Sequence, residues 1–151
     1  MNDEYEEIKQ IIANSLDIVD FADFGDGISE EWIEKAESRL GINLPNSYKW
    51  WLKNYNGGEI CGQEIFSIYG QDFDTVVGGD IVYMHELNQK KRLFAPNKLV
   101  ICESDDDVFY FDINQKNEIG EYPVYSGPVK SEYYAKDFLE FLKKRIMFYR
   151  Q

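Results

Sequence analysis

The sequence is poor in the side chains that most often carry enzyme chemistry. Among 151 residues there are one histidine and two cysteines. A zinc site needs four nitrogen or sulfur ligands, or three and a water, and His85, Cys61 and Cys102 are too few and too far apart to provide them. A serine triad would have to use His85, but no Gly-x-Ser-x-Gly elbow accompanies it. We therefore expect no metal, no cofactor and no catalytic activity.

Other absences concern the compartment. The two cysteines have no disulfide framework around them and each lies beside apolar sequence, which favours reduced, buried and unreactive thiols. No basic-then-apolar stretch opens the chain, and no apolar run approaches the ~18 residues of a membrane span. We expect a cytoplasmic protein that does not associate with membranes.

Positive charge is also scarce. The formal net charge is −12, and residues 1–40 hold twelve acids against three bases, whereas residues 130–151 hold six bases and three acids. Phosphate backbones repel such a surface, so nucleic-acid binding is disfavoured. A basic protein partner is favoured because complementary fields speed association. The composition is equally compatible with an acidic surface that only keeps the protein soluble.

What the sequence does contain is a well-marked pair of helices between Ile28 and Gly58. Ser29 is a candidate N-cap whose hydroxyl accepts from first-turn amides, and Gly41 can close that helix in the left-handed conformation. Leu44-Pro45 restarts the chain, with proline at the first helical position. Apolar residues at helical spacing then run from Tyr48 to Tyr55, and Asn56-Gly57-Gly58 ends the second helix.

The flanking segments add further elements. An amphipathic helix is predicted from Asp3 to about Asn14, followed by an irregular crossing over residues 16–21. After Gly58 the pattern predicts a hairpin that turns near Cys61-Gly62-Gln63. Residues 71–79 read as an exposed loop, and Asp80 is positioned to cap the next helix.

The second half predicts the centre of a sheet. Two continuous apolar runs, Leu99–Cys102 and Val108–Phe111, are typical of strands covered on both faces. Tyr122–Tyr125 is predicted as a further strand, placed at an edge or a bulge by Pro123, and a last helix is predicted to start at Ser131 or a neighbour. The prediction is one α+β domain over residues 1–151, a mainly antiparallel sheet packed with four to five helices.

The helix pair also carries a resemblance. Ala36-Glu37 to Leu40-Gly41, Leu44-Pro45 and Asn56-Gly57-Gly58, with a closing helix that includes Ala135–Leu142, resemble the SUKH superfamily, the group that includes yeast regulators of cell-wall assembly. The resemblance implies a binding protein that is not an enzyme. Many bacterial members are immunity proteins for secreted toxins, often nucleases. It also implies that the matching positions are structural: Leu40, Gly41, Leu44, Pro45, Gly57 and Gly58.

The expected function is therefore an immunity protein that neutralises a cognate, basic toxin by non-covalent contact. Candidate contacts are the loop acids, the residues near the Gly-Gly turn and one tryptophan that lies off its apolar stripe: Asp72, Asp74, Asp105, Asp106, Asp107, Glu59, Glu64, Tyr69 and Trp50. The acids at 105–107 lack the alternating spacing and the glycine of a calcium loop. The alternative function is a regulatory protein-interaction module related to cell-wall signalling.

Overall fold

The computed structural model describes residues 2–104 and 107–150. Within them, five helices and seven strands follow one another in this order: α1 (Asn2–Ala13), β1 (Val19–Phe21), α2 (Glu30–Leu40), α3 (Asn46–Asn54), β2 (Gly58–Ile60), β3 (Gln63–Ile65), α4 (Ile81–Lys90), β4 (Lys98–Glu103), β5 (Val108–Asp112), β6 (Val124–Ser126), β7 (Glu132–Ala135) and α5 (Phe138–Tyr149). The α+β class and the antiparallel sheet predicted from the sequence are confirmed.

The seven strands form one antiparallel sheet in which spatial order equals chain order, β1 to β7. The central strands β4 and β5 are buried at four consecutive positions each, as their continuous apolar runs predicted. The hairpin between β2 and β3 turns at Cys61 and Gly62, which both have positive φ. Each strand therefore pairs with its chain neighbours, so the sheet is a simple meander.

Helices cover the two faces of the sheet unequally. On one face, Phe109 lies 5.3 Å from Phe141 of α5, and Phe111 lies 5.7 Å from Tyr48 of α3, measured between ring centres. We call this the helical face. On the other face, Phe94 beyond α4 packs 6.4 Å from the ring of Tyr110. We call that side the open face, because α1, α3 and α5 all pack on the helical side.

The helix pair follows the predicted local signals with two corrections. Gly41 has φ of 69°, and its amide and that of Ile42 both donate to the Glu37 carbonyl, which closes α2 as predicted. The hydroxyl cap predicted for Ser29 is wrong, because this side chain makes no capping hydrogen bond. Pro45 lies at the N-cap of α3 and not at its first helical position.

The prediction failed at both edges of the sheet. The segment read as an irregular crossing contains β1, which pairs with β2. Ser131 does not start the last helix, because the next residues form β7 and Asp137 caps α5 by accepting from the Glu140 amide. Pro123 precedes β6, which is an interior strand, so the prediction of an edge strand is wrong. The predicted alternative, a bulge, is found, because the register between β6 and β7 shifts at Val124/Tyr125.

Charge and thiols are also arranged in ways that the composition does not show. Three ion pairs join the acidic N-terminal region to the basic C-terminal one: Lys136–Glu4, Lys143–Glu7 and Arg150–Asp17.

Cys102 is buried, and burial raises its pKa to about 12. Cys61 is exposed in the β2–β3 turn, so the prediction that both thiols are buried is wrong for this one.

Candidate protein-binding surface

Three acidic side chains stand next to one another across the first strands of the sheet. Asp20 on β1 is the register partner of Glu59 on β2, and Glu59 is in turn the partner of Glu64 on β3. Asp20 and Glu59 are exposed and Glu64 is half-buried. Because register partners in an antiparallel sheet point to the same side, the three carboxylates lie in one row.

The row continues to β4 and lies on the open face. Ile65 pairs with Cys102, and the residues beside them on the two strands are Glu64 and Glu103. Cys102 pairs with Phe109, which packs against α5. Side chains alternate along a strand, so Glu64 and the exposed Glu103 project to the side away from α5. We call Asp20, Glu59, Glu64 and Glu103 the acidic row.

Two glycines allow the first strands to come this close. Gly58 has φ of 129°, and a Cβ there would overlap the main-chain oxygen of Asp20. Gly57 has φ of 103°, and a Cβ there would lie 2.7 Å from the Ser67 hydroxyl. Only glycine adopts such conformations without strain, so the Gly-Gly pair sets Asp20 beside Glu59.

Tyr69 is held against the row by hydrogen bonds. Its hydroxyl donates to a Glu64 carboxylate oxygen at 2.6 Å and accepts from the Gly79 amide at 2.8 Å. Burial and the bond to Glu64 raise the pKa of Tyr69 to about 12. The side chain is still 36% exposed, and Val77 in the same loop is 65% exposed. The structure thus brings together Glu59, Glu64 and Tyr69, the three candidate contacts that the sequence analysis placed near the Gly-Gly turn.

The other predicted acids do not join them. Asp74 forms an ion pair with Arg39 of α2 at 2.9 Å, and Glu86 of α4 binds the same guanidinium at 2.7 Å. These two carboxylates raise the pKa of Arg39. Asp72 accepts the Asp74 amide and so shapes its own loop. The charges of Asp74 and Glu86 are therefore paired with Arg39 at the α2–α4 junction.

The acidic turn between β4 and β5 is only partly described. Asp105 and Asp106 lie outside the described residues. Asp107 accepts the amide of Val108 through its carboxylate, while its carbonyl accepts from the amide of Ser104. Asp107 is half-buried and follows Glu103 across this turn, at the β4 end of the acidic row.

Trp50 is not a free anchor. It is half-buried, and its ring lies 4.8 Å from Tyr5, 5.9 Å from Tyr55 and 6.3 Å from Phe24. These contacts attach α1 and the loop after β1 to α3. Trp50 belongs to a different side of the molecule from the acidic row, because α1 and α3 pack on the helical face.

The remaining resemblance-derived positions all lie at the α2–α3 junction. Gly41 ends α2 and Pro45 precedes α3, as described above. Leu44 is buried, and its amide donates to the Glu37 carboxylate at 2.8 Å. Leu40 is half-buried against the core.

The open face carries a second feature that the sequence patterns did not reveal. Tyr110, Tyr125 and Tyr133 are register neighbours on β5, β6 and β7, with ring centres 6.3 and 5.9 Å apart. Tyr133 is 60% exposed. We call these residues the tyrosine row. A signal was present, since each strand contains a tyrosine, but the register that aligns them cannot be read from one strand alone.

No metal centre is found in the described residues. No group of three or more His, Cys, Asp or Glu side chains there could hold a metal ion. Burial lowers the pKa of the single histidine, His85, on α4. Nor is any helix within residues 2–104 and 107–150 long and apolar enough to cross a bilayer.

A comparison with protein families identifies the family of this chain. Residues 30–142 match the family model SUKH_6, described as SMI1-KNR4 cell-wall. The chain belongs to the SUKH superfamily. The match starts at the first residue of α2 and ends within α5, so this SUKH domain includes the Gly-Gly turn and six of the seven strands. The resemblance found in the helix pair is thereby confirmed, and α1 and β1 lie before the matched range.

Proposed function

We propose that this SUKH protein is an immunity protein that binds a cognate secreted toxin, and that the acidic row is the centre of its contact surface. It acts by non-covalent contact in the cytoplasm and has no catalytic role. Membership of the superfamily is consistent with a protein-interaction or immunity module. The observation that carries the proposal is the alignment of Asp20, Glu59 and Glu64 as direct register neighbours.

This alignment is unfavourable for folding alone. Like charges directly opposite on neighbouring strands destabilise a sheet. No ion pair of the described residues includes any member of the acidic row, whereas acids elsewhere on the molecule pair with Lys or Arg. A cationic partner surface would supply the missing counter-charges and relieve the repulsion.

The type of partner follows from this charge. A toxin that cleaves nucleic acid must attract phosphates, so its active site is expected to be basic. A row of carboxylates on a flat sheet face can occupy that basic site and exclude the substrate. Complementary fields also raise the association rate. Tyr69 and Val77 beside the row add exposed contact area, and tyrosine is a frequent energetic anchor in interfaces.

Co-expression tests the functional class. The protein is produced together with each toxin encoded near its gene, and cell survival and co-purification are measured. Protection by direct binding supports the immunity role. If the chain protects against none of them and instead co-purifies with a cell-wall signalling protein, the immunity proposal is wrong and the regulatory alternative is favoured.

Association kinetics test the surface. Glu59→Lys should slow association with the toxin about tenfold at low salt, because it places a cation in the middle of the row. The matched control is Glu118→Lys, which makes the same charge change at an exposed acid in the β5–β6 connection. Equal association rates for the two variants would show that the toxin binds elsewhere.

A further inference from the structure

A cleft at the C-terminal half of α5 contains a buried cation that has no carboxylate partner among residues 2–104 and 107–150. The cleft has a volume of about 410 Å³. Its lining includes Phe109 of β5, Tyr134 of β7 and three residues of α5, namely Arg145, Phe148 and Tyr149. We call it the Arg145 cleft. It opens on the helical face, and Asp107 at the β4 end of the acidic row lines one side of it.

Arg145 is 8% exposed, and no carboxylate of the described residues lies within 4 Å of its guanidinium. Arginine has five N–H donors. One nitrogen, Nη2, donates to the Tyr149 hydroxyl at 3.0 Å, and a hydrogen bond from Arg145 to the Tyr134 phenol opposes the increase that burial causes in the Tyr134 pKa. Arg145 lines the cleft, so its guanidinium borders the open space. Burial of a charge without a partner is costly, and an entering anion would remove that cost.

Aromatic rings fix the orientation of this guanidinium. Its central carbon lies 4.6 Å from the ring centre of Phe109, 4.9 Å from that of Phe148 and 5.2 Å from that of Tyr149. The guanidinium itself is planar, with its N–H donors along its edge. Such an edge matches the two oxygens of a carboxylate.

The surroundings define the ligand more closely. Phe109 and the exposed ring of Phe148 offer apolar walls, which suit a flat hydrophobic group beside the anion. Tyr134 adds a phenol near Arg145, and its pKa is raised by burial, with Arg145 acting against the increase. Asp107 also lines the cleft, so a doubly charged phosphate is disfavoured compared with a single carboxylate.

We propose that the Arg145 cleft is a binding site for a singly charged carboxylate carried on a flat apolar group. The carboxylate can come from a free aromatic acid, or from an acidic side chain or chain end of a protein that lies beside an aromatic residue. The proposal does not depend on the immunity role, because it can be tested on the isolated protein.

Benzoate is the probe, and benzamide is its neutral counterpart of the same shape. Chemical shifts of the isotope-labelled full chain are followed by NMR during each titration. Benzoate should move the amide signals of Phe109, Tyr134 and Arg145, and benzamide should bind about tenfold more weakly or not at all, because it lacks the charge-assisted hydrogen bonds. Equal binding of the two probes, or no binding of benzoate to the folded wild type, would overturn the proposal.

Two variants locate the site. Arg145→Met should weaken benzoate binding about tenfold or more, whereas Lys130→Gln, which removes a cation from an exposed loop, should leave it unchanged. Unchanged binding in Arg145→Met would place benzoate elsewhere and refute the proposal. If Arg145→Met does not fold, Arg145→Lys retains the charge without the planar fork, and the benzoate–benzamide difference on the wild type remains decisive.

Two further probes separate the sources. N-acetylphenylalanine ends in a carboxylate as a protein chain does, whereas N-acetyl-aspartyl-phenylalanine amide presents a side-chain carboxylate beside a ring. Tighter binding of one of them than of benzoate supports the site and identifies a protein ligand. Tightest binding of benzoate supports the site and identifies a free acid.

Discussion

Replacement of Glu59 by lysine should make the protein more stable, although it removes a candidate contact residue. Glu59 is the register partner of both Asp20 and Glu64, so it takes part in two like-charge pairs. A cross-strand charge pair changes stability by about 0.2–1 kcal/mol. The exposure of Glu59 and Asp20 favours the lower end, about 0.3 kcal/mol for each pair.

The size of the effect follows from counting these pairs. Glu59→Gln removes two repulsions, for a gain of about 0.6 kcal/mol in the free energy of unfolding. Glu59→Lys also creates two attractions, for a total gain of about 1 kcal/mol. For a domain of this length, that corresponds to a rise in Tm of about 2–4 °C.

The Tm values of the wild type, Glu59→Gln and Glu59→Lys are measured by thermal unfolding with circular dichroism, at low salt and again in 1 M NaCl. The expected order of Tm is wild type lowest and Glu59→Lys highest. High salt should remove most of the gain, because the Debye length falls to about 3 Å. Glu118→Lys serves as control and should shift Tm little, since it has no register partner of like charge. The reasoning is refuted if Glu59→Lys is no more stable than the wild type, or if its gain is the same at both salt concentrations.

Three further changes test other parts of the structure by urea unfolding. Gly58→Ala should cost about 2–4 kcal/mol of unfolding free energy, because φ is positive there and the new Cβ would overlap Asp20. Gly62→Ala is the control: its Cβ would meet open space, so it should cost only about 1 kcal/mol of backbone strain. Equal costs for the two variants would contradict the contact between position 58 and Asp20. Tyr48→Phe should cost about 1–2 kcal/mol of unfolding free energy, because it leaves the buried carbonyl of Phe66 without the Tyr48 hydroxyl as its donor. A change below about 0.3 kcal/mol would show that this hydrogen bond contributes little. Burial raises the pKa of Glu121 in the fold, so its contribution to stability is present below the unfolded pKa and is lost as pH rises through the folded pKa. The wild type should therefore lose stability relative to Glu121→Gln as the pH rises above about 4.3, the ordinary pKa of a glutamate, and a constant difference would contradict the shift.

The local elements could be predicted because their signals lie in neighbouring residues. Gly41 ends α2 and Asp80 caps α4 by accepting two first-turn amides, which are interactions within a few positions of chain. The central strands β4 and β5 were recognisable because their apolar runs are buried on both faces. Edge strands were not, since β1 and β7 have three and four residues, and only their pairing defines them.

The candidate surfaces depended on contacts between distant positions. Glu59, Glu64 and Tyr69 were grouped correctly in space, because one hairpin and its loop connect them. Asp20 was missed, since β1 was not predicted. The ion pair between Asp74 and Arg39 could not be predicted, because Arg39 lies on another helix.

By itself, the sequence determined the helix pair, the Gly-Gly turn, the central strands and the acidic composition, since capping, backbone freedom and periodic burial are local properties. Tertiary structure alone decided where the unpaired charge lies. Register aligns Asp20, Glu59 and Glu64 on one face, ion pairs neutralise Glu4, Glu7 and Asp17, and the packing of α5 encloses Arg145 among rings. Each of these outcomes depends on distances between residues far apart in the chain, which only the packed fold fixes.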